Sequence, residues 1–150
     1  MRCIILFIII MICSCGAQKS NYEIINDIML EVKKQAPDVF SDDGLIVNFE
    51  ITSFEEKKIL GKFSCNEETK ECLIKLSEVM FDELSPKKMH LTHVIIHEIG
   101  HVMGQKHLED QSNIMFREVT YESIHEITIP EALNQLQENC SLFKCKKIAW

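Results

Sequence analysis

The sequence predicts a single α+β domain, and three observations carry that prediction. Apolar residues recur at helical spacing in three stretches, around residues 24–32, 91–102 and 132–136. Between the first two lie segments rich in β-formers: an alternating run at 45–51, then a pair at 58–65 and 72–77 parted by the polar loop 66–71. The chain has 150 residues with no internal repeat, low-complexity tract or linker, which suits one core rather than two.

The opening segment is expected to be removed. Met1-Arg2, the apolar run from Ile4 to Ile12 and the small-residue exit Cys13-Ser14-Cys15-Gly16 have the layout of a secretory signal, and the apolar run is too short to span a bilayer. Ile12-Cys13-Ser14-Cys15 also resembles a bacterial lipobox, which makes residues 1–14 a lipoprotein-type signal peptide, 15–150 the mature domain and Cys15 the lipidation candidate. Cleavage after Ala17 is the competing reading, and the two differ in whether the mature protein is tethered to a membrane. An exported protein, cell-envelope lipoprotein or secreted, is therefore expected. Without Arg2 the mature chain carries 15 basic and 23 acidic side chains, a formal charge of −8, which disfavours nucleic acid as a partner. Lys144, Lys146 and Lys147 read as a solvated tail.

Cysteine parity agrees with export. Setting aside Cys3, Cys13 and Cys15 leaves Cys65, Cys72, Cys140 and Cys145, an even set that permits three pairings, of which the neighbouring pairs are favoured. Neither interval has the spacing of a zinc ribbon.

Taken in order, Ser20-Asn21-Tyr22-Glu23 reads as a capping box opening the first helix, with Ile24, Ile25, Ile28, Met29 and Val32 on its stripe and Pro37 beyond its end. Asp42-Asp43-Gly44 is expected to be a turn before the strand 45–51. Calcium at Asp42 and Asp43 is possible in principle, but no further ligand supports it. Ser85-Pro86 should cap the central helix, which buries Leu91, Val94, Ile95, Ile99 and Val102. Thr128-Ile129-Pro130-Glu131 is a second capping box, and it opens a last helix with Ala132, Leu133 and Leu136 inward.

The chemistry concentrates in His97-Glu98-Ile99-Gly100-His101-Val102-Met103-Gly104-Gln105-Lys106-His107. Two histidines four apart share one helix face, a spacing that lets both imidazoles reach one metal ion. Glu98 is rotated by roughly 100° from His97, so it suits a base beside the metal rather than a ligand on it. Gly104 can take the left-handed conformation that ends a helix and turns His107 back as a third ligand. Three nitrogen ligands leave a fourth position open, as in catalytic zinc sites. His90 and His93 read as ordinary helix residues, and His125 carries no assignment.

This string resembles the long zinc signature H-E-x-x-H-x-x-G-x-x-H of the metzincin metallopeptidases, and Met115 in Ser112-Asn113-Ile114-Met115-Phe116 resembles their Met-turn at the interval of the matrixin branch. The resemblance implies a zincin-like catalytic domain with a small twisted mixed sheet, an active-site helix, a Met-turn and a C-terminal helix. It further implies a zinc-dependent endopeptidase. His97, His101 and His107 would hold one Zn2+, Glu98 would serve as the base for attack by a zinc-bound water, and Met115 would form the apolar floor. The strand with Ile59, Leu60, Gly61 and Lys62 would be the antiparallel edge that holds an extended peptide or protein substrate by its main chain. Residues 116–125 would wall the substrate pocket. Arg117 stands where a family member with an extra tyrosine ligand carries that tyrosine, so no tyrosine switch is expected, and Tyr121 is a poor substitute. No counterpart of the second, structural zinc cluster precedes His97, and latency, where present, is expected to arise without the family's cysteine switch. The family's first strand has no evident place. A monomer is expected. The competing class is a surface lipoprotein whose metal site is structural or inactive and which acts as a binding module. A further variant of the same chemistry is cleavage of a non-protein amide such as a cell-wall peptide.

Overall fold

A computed structural model describes residues 19–56, 58–82, 90–117 and 128–150. The first helix, α1 (Asn21–Gln35), begins at the expected reciprocal cap: the Ser20 hydroxyl accepts from the Glu23 amide at 3.3 Å, and the Glu23 carboxylate accepts from the Ser20 amide at 2.6 Å. Ile25, Met29 and Val32 form its buried stripe. Pro37 cannot continue the helix and starts a 3-10 turn, Pro37–Val39, that feeds the first strand.

That strand, β1 (Phe40–Thr52), is longer than its alternation suggested. Asp42-Asp43-Gly44 is not a turn but part of the strand. Its turn chemistry survives as an irregularity, because Phe40 and Leu45 both face Ile148 of the last strand. Gly44 lies against that strand so closely that a Cβ there would stand 2.5 Å from the Ile148 carbonyl carbon.

The hairpin pairs β2 (Gly61–Asn66) with β3 (Glu71–Ser77) from Gly61↔Leu76 to Asn66↔Glu71. Residues 58–60 lie outside the strand, although the Leu60 carbonyl still accepts from the Ser77 amide. Asn66 closes the turn by accepting from the amides of Glu68 and Thr69, and Lys70 takes a positive φ of 57°. The predicted neighbouring disulfides are both present, Cys65–Cys72 across the hairpin and Cys140–Cys145 after the last helix. β3 pairs in parallel with β1 from Ile46↔Glu71 to Thr52↔Ser77.

The closing residues correct another expectation. Lys144, Lys146 and Lys147 are exposed as expected, yet they lead not into a free tail but into strand β4 (Ile148–Ala149), parallel to β1, giving the sheet order β2-β3-β1-β4. The Leu45 amide donates to the Lys147 carbonyl, the Lys146 amide to the Met103 carbonyl, and the Lys146 ammonium meets Glu67 at 3.1 Å. The Trp150 ring packs edge-on against Phe49. Ile148 supplies the apolar residue that a solvated lysine cluster disguised, and it is fully buried.

One face of the sheet carries the core. Val47, Cys72, Ile74 and Leu76 of the strands meet Ile25 and Met29 of α1, Ile95 and Ile99 of α2 (Leu91–Val102), and Leu133 and Leu136 of α3 (Ile129–Asn139). Each such side chain contributes about 1.5–3 kcal/mol of burial. Thr128 caps α3 by accepting from the Glu131 amide. The expected cap at Ser85-Pro86 falls outside the described residues; α2 as described opens after His90.

Candidate metal centre

The geometry of the site begins with how α2 stops. Gly104 has φ +97°, a conformation costly for any residue with a Cβ. Its amide donates to the His101 carbonyl and that of Gln105 to the Gly100 carbonyl, the paired bonds of a Schellman ending. The chain reverses there. It is then fastened to the Met115 turn, where the Leu108 amide donates to the Met115 carbonyl and Leu108 bridges Phe116.

This reversal brings the three imidazoles together. The Nε2 atom of His101 lies 3.1 Å from that of His97 and 3.0 Å from that of His107. Among the described residues these three form a group able to hold a metal ion, and it includes neither His90 nor His93. The other ring nitrogens show which tautomer is present. His97 Nδ1 lies 2.7 Å from the Ile114 carbonyl and His101 Nδ1 2.9 Å from the Gln105 carbonyl. A carbonyl only accepts, so each Nδ1 carries the proton and each Nε2 presents a bare lone pair. Two lone pairs 3.1 Å apart repel unless a cation lies between them. Tetrahedral zinc with its usual nitrogen distances would set such atoms about 3.3–3.4 Å apart, so the cluster needs only a slight opening to accept it.

Burial keeps the cluster neutral. It pushes His97 down to about 4, with the two neighbouring imidazoles adding to the effect and the Ile114 carbonyl opposing it. His101 and His107 are lowered by burial as well, His101 further by His107, and His107 further by Arg117. Neutral imidazoles are the form that binds metal.

Glu98, one residue along from His97, is 6% exposed, and burial raises its carboxyl to about 7. It faces the edge strand. A Cβ on Gly61 would stand 2.5 Å from Glu98 Oε1 and 2.9 Å from its Cγ, so this glycine is what lets β2 close on the carboxylate. Two residues on, the Phe63 ring stacks on His101 at 5.0 Å and 14°. A similar close approach lies at Gly100 of α2: a Cβ there would lie 2.4 Å from the sulfur of Met115, itself fully buried. Because the Ser77 amide bonds to Leu60, alternate residues of β2, namely Gly61, Phe63 and Cys65, turn their backbone groups away from β3 along the open edge.

Sequence reasoning placed Gly61 on the edge strand but missed its contact with Glu98, and it passed over Phe63 and a set of amides, the buried Gln105 and Asn139 and the partly buried Asn113 and Gln135. The signal for Gln135 and Asn139 was available, since amides four apart on a helix flank the buried Leu136. Asp42 and Asp43 lie in β1 with the residues of the cluster elsewhere. Cys15 and residues 118–125 of the expected pocket wall, Tyr121 and His125 among them, lie outside the described residues.

Comparison with known families gives one match: the matrixin peptidase family model covers residues 21–136, from the start of α1 to Leu136 in α3. No curated protein and no solved structure matches the chain.

Proposed function

The chain belongs to the matrixin family of zinc metallopeptidases, and from that membership we propose that it is a zinc-dependent endopeptidase acting on extended peptide or protein chains. The observation that carries the proposal is the convergence of three imidazole Nε2 atoms, two of them shown bare by the carbonyls at their Nδ1, in the stretch of chain that also carries the buried carboxylate of Glu98. His97, His101 and His107 would hold the ion. Zinc in that place would supply a Lewis acid that polarises the scissile carbonyl and acidifies the attacking water.

The protein's own groups supply the rest. Glu98 takes a proton from the attacking water and passes it to the departing amine, the acid–base cycle suited to a carboxyl whose burial brings it to about 7. The outward backbone groups of Gly61 and Phe63 pair with substrate main chain as an added strand, holding it without reading its side chains. Met115 closes the apolar floor and keeps water from the back of the imidazoles.

We place the mature protein outside the cytoplasm, anchored by a lipid on Cys15. The signal-like residues 1–14 and the two disulfides support that setting.

The purified protein incubated with a mixed peptide pool should cleave it, and a chelator should stop cleavage. Glu98→Ala should keep one zinc per chain and lose turnover by several orders of magnitude. Turnover of the pool by that variant at the parent's rate would exclude the mechanism. Mass spectrometry of the mature amino terminus tests the anchor.

A further inference from the structure

We propose that the C-terminal helix α3 belongs to the metal centre: through the amide side chains of Gln135 and Asn139 it sets the orientation of both helix-borne imidazoles. Gln135 and Asn139 are positioning residues for zinc. The inference rests on the reading that His97, His101 and His107 hold the ion, and it concerns groups that touch none of the three.

The path to His97 runs through the peptide groups on either side of Ile114. The Ile114 carbonyl accepts from His97 Nδ1 at 2.7 Å. In the same peptide plane, the Met115 amide donates to Asn113 Oδ1 at 3.0 Å. The preceding plane is held from α3, where Gln135 Oε1 accepts from the Ile114 amide at 2.7 Å while Gln135 Nε2 donates to the Ser112 carbonyl at 2.9 Å. One side-chain amide thus spans the turn from which His97 takes its orientation.

His101 is held the same way. Its Nδ1 donates to the Gln105 carbonyl, and the Gln105 side chain donates to the Leu136 carbonyl of α3 at 2.7 Å. Asn139 joins the two branches. Its Nδ2 donates to Asn113 Oδ1 at 3.0 Å and to Gln105 Oε1 at 3.3 Å, and its Oδ1 accepts from Asn113 Nδ2 at 3.3 Å. Gln105 and Asn139 are 2% and 4% exposed, so these amides were taken out of water to make the network. Burying polar groups this deep gains little stability over an apolar core, but a fully satisfied network fixes one geometry. The geometry fixed here is that of two carbonyls, and each carbonyl decides which way an imidazole lone pair points.

The test measures metal binding rather than cleavage. Gln135 is only partly buried, so Gln135→Ala leaves the helix packing in place. Loss of such an outer partner costs 10- to 100-fold in metal affinity elsewhere, and Q135A should bind zinc about tenfold more weakly than the parent, with faster release to a chelator. The visible absorption of the Co2+-loaded variant should change in intensity and shape as the imidazoles lose their fixed directions. Gln135→Glu keeps an acceptor for the Ile114 amide and should stay within about threefold of the parent. Asn134→Ala, on the exposed side of the same helix, should change nothing.

If Q135A loses its fold, Gln135→Met against Gln135→Glu carries the test, since both keep the side chain's length and only one keeps the acceptor. Equal zinc affinity of those two variants, or a folded Q135A with the parent's affinity and cobalt spectrum, overturns the proposal. Failure of the parent itself to bind zinc would instead overturn the reading of the metal centre.

Discussion

Gly61→Ala tests whether the edge strand positions the base. The added methyl would sit 2.5 Å from Glu98 Oε1, 2.9 Å from its Cγ and 3.0 Å from its Cδ, against an ordinary contact of at least 3.4 Å. The strand has little freedom to retreat, because it is laddered to β3 and locked by Cys65–Cys72. The carboxylate must therefore move, by about 0.9 Å along the worst contact. A misplacement of about 1 Å at a reacting group costs on the order of 100-fold in rate. That is about 2.7 kcal/mol of lost transition-state stabilisation. Because the end of a glutamate side chain swings easily, folding stability should change much less. Steady-state cleavage of one fluorogenic peptide chosen from the pool should show kcat down about 100-fold, KM within about threefold of the parent, and zinc content unchanged. A kcat within threefold of the parent would refute the reasoning, since the base would then tolerate displacement or not be the base.

Gly100→Ala sets a methyl 2.4 Å from the Met115 sulfur, and overpacking of this kind costs about 1–3 kcal/mol; urea denaturation should show it, and Gly100→Ala with Met115→Ala should be less destabilised than the two singles summed. Replacing Cys65 and Cys72 by serine should cost about 2 kcal/mol on the chain-entropy estimate, read from the same denaturation midpoints. The acidity of Glu98 gives a pH prediction for the metal-free protein. Its folded value of about 7 exceeds the ordinary 4.5, so the folded state binds the extra proton across that window and loses stability as pH rises through it. Glu98→Gln removes the loss: it should match the parent near pH 4.5 and exceed it by about 3 kcal/mol at pH 8, and an equal difference at both pH values would count against the assignment. His97 works in the opposite sense. Its value of about 4 means stability that rises from pH 4 to 6.5, in both proteins alike, so the comparison isolates Glu98.

Legibility in the sequence followed the range of the interactions involved. α1, the hairpin and α3 were readable because caps, stripes and turn residues act within a few positions, as Ser20 with Glu23 and Thr128 with Glu131 show. The metal cluster was readable for the same reason, since His97 to His107 is one helix turn and one chain reversal. What escaped depends on distant partners. Ile148 is a strand residue only because β1 offers an open edge far back in the chain, and Gly44 is small for the sake of that strand rather than for a turn. Gly61 and Gly100 likewise answer to Glu98 and to Met115, contacts that no local pattern announces. The amide of Gln105 reads as solvent-facing by residue type, and only the fold reveals that it is buried.

These distant contacts share a consequence for stability. The folded chain holds groups that cost it stability: lone pairs of His97 and His101 at 3.1 Å, and on the same helix a carboxyl deprived of water. Without a cation this arrangement is less stable than an apolar filling would be, and the surrounding core must offset it. A divalent ion reverses the sign of both terms at once, because it attracts the lone pairs and favours the ionised carboxylate. Binding only to the folded state, zinc at a thousand times its dissociation constant should add about 4 kcal/mol to unfolding stability. The same logic explains why the imidazoles are fixed from outside by carbonyls and amides. A cluster that repels itself when empty keeps its shape only if each ring is held by its other nitrogen, and in His97 and His101 it is.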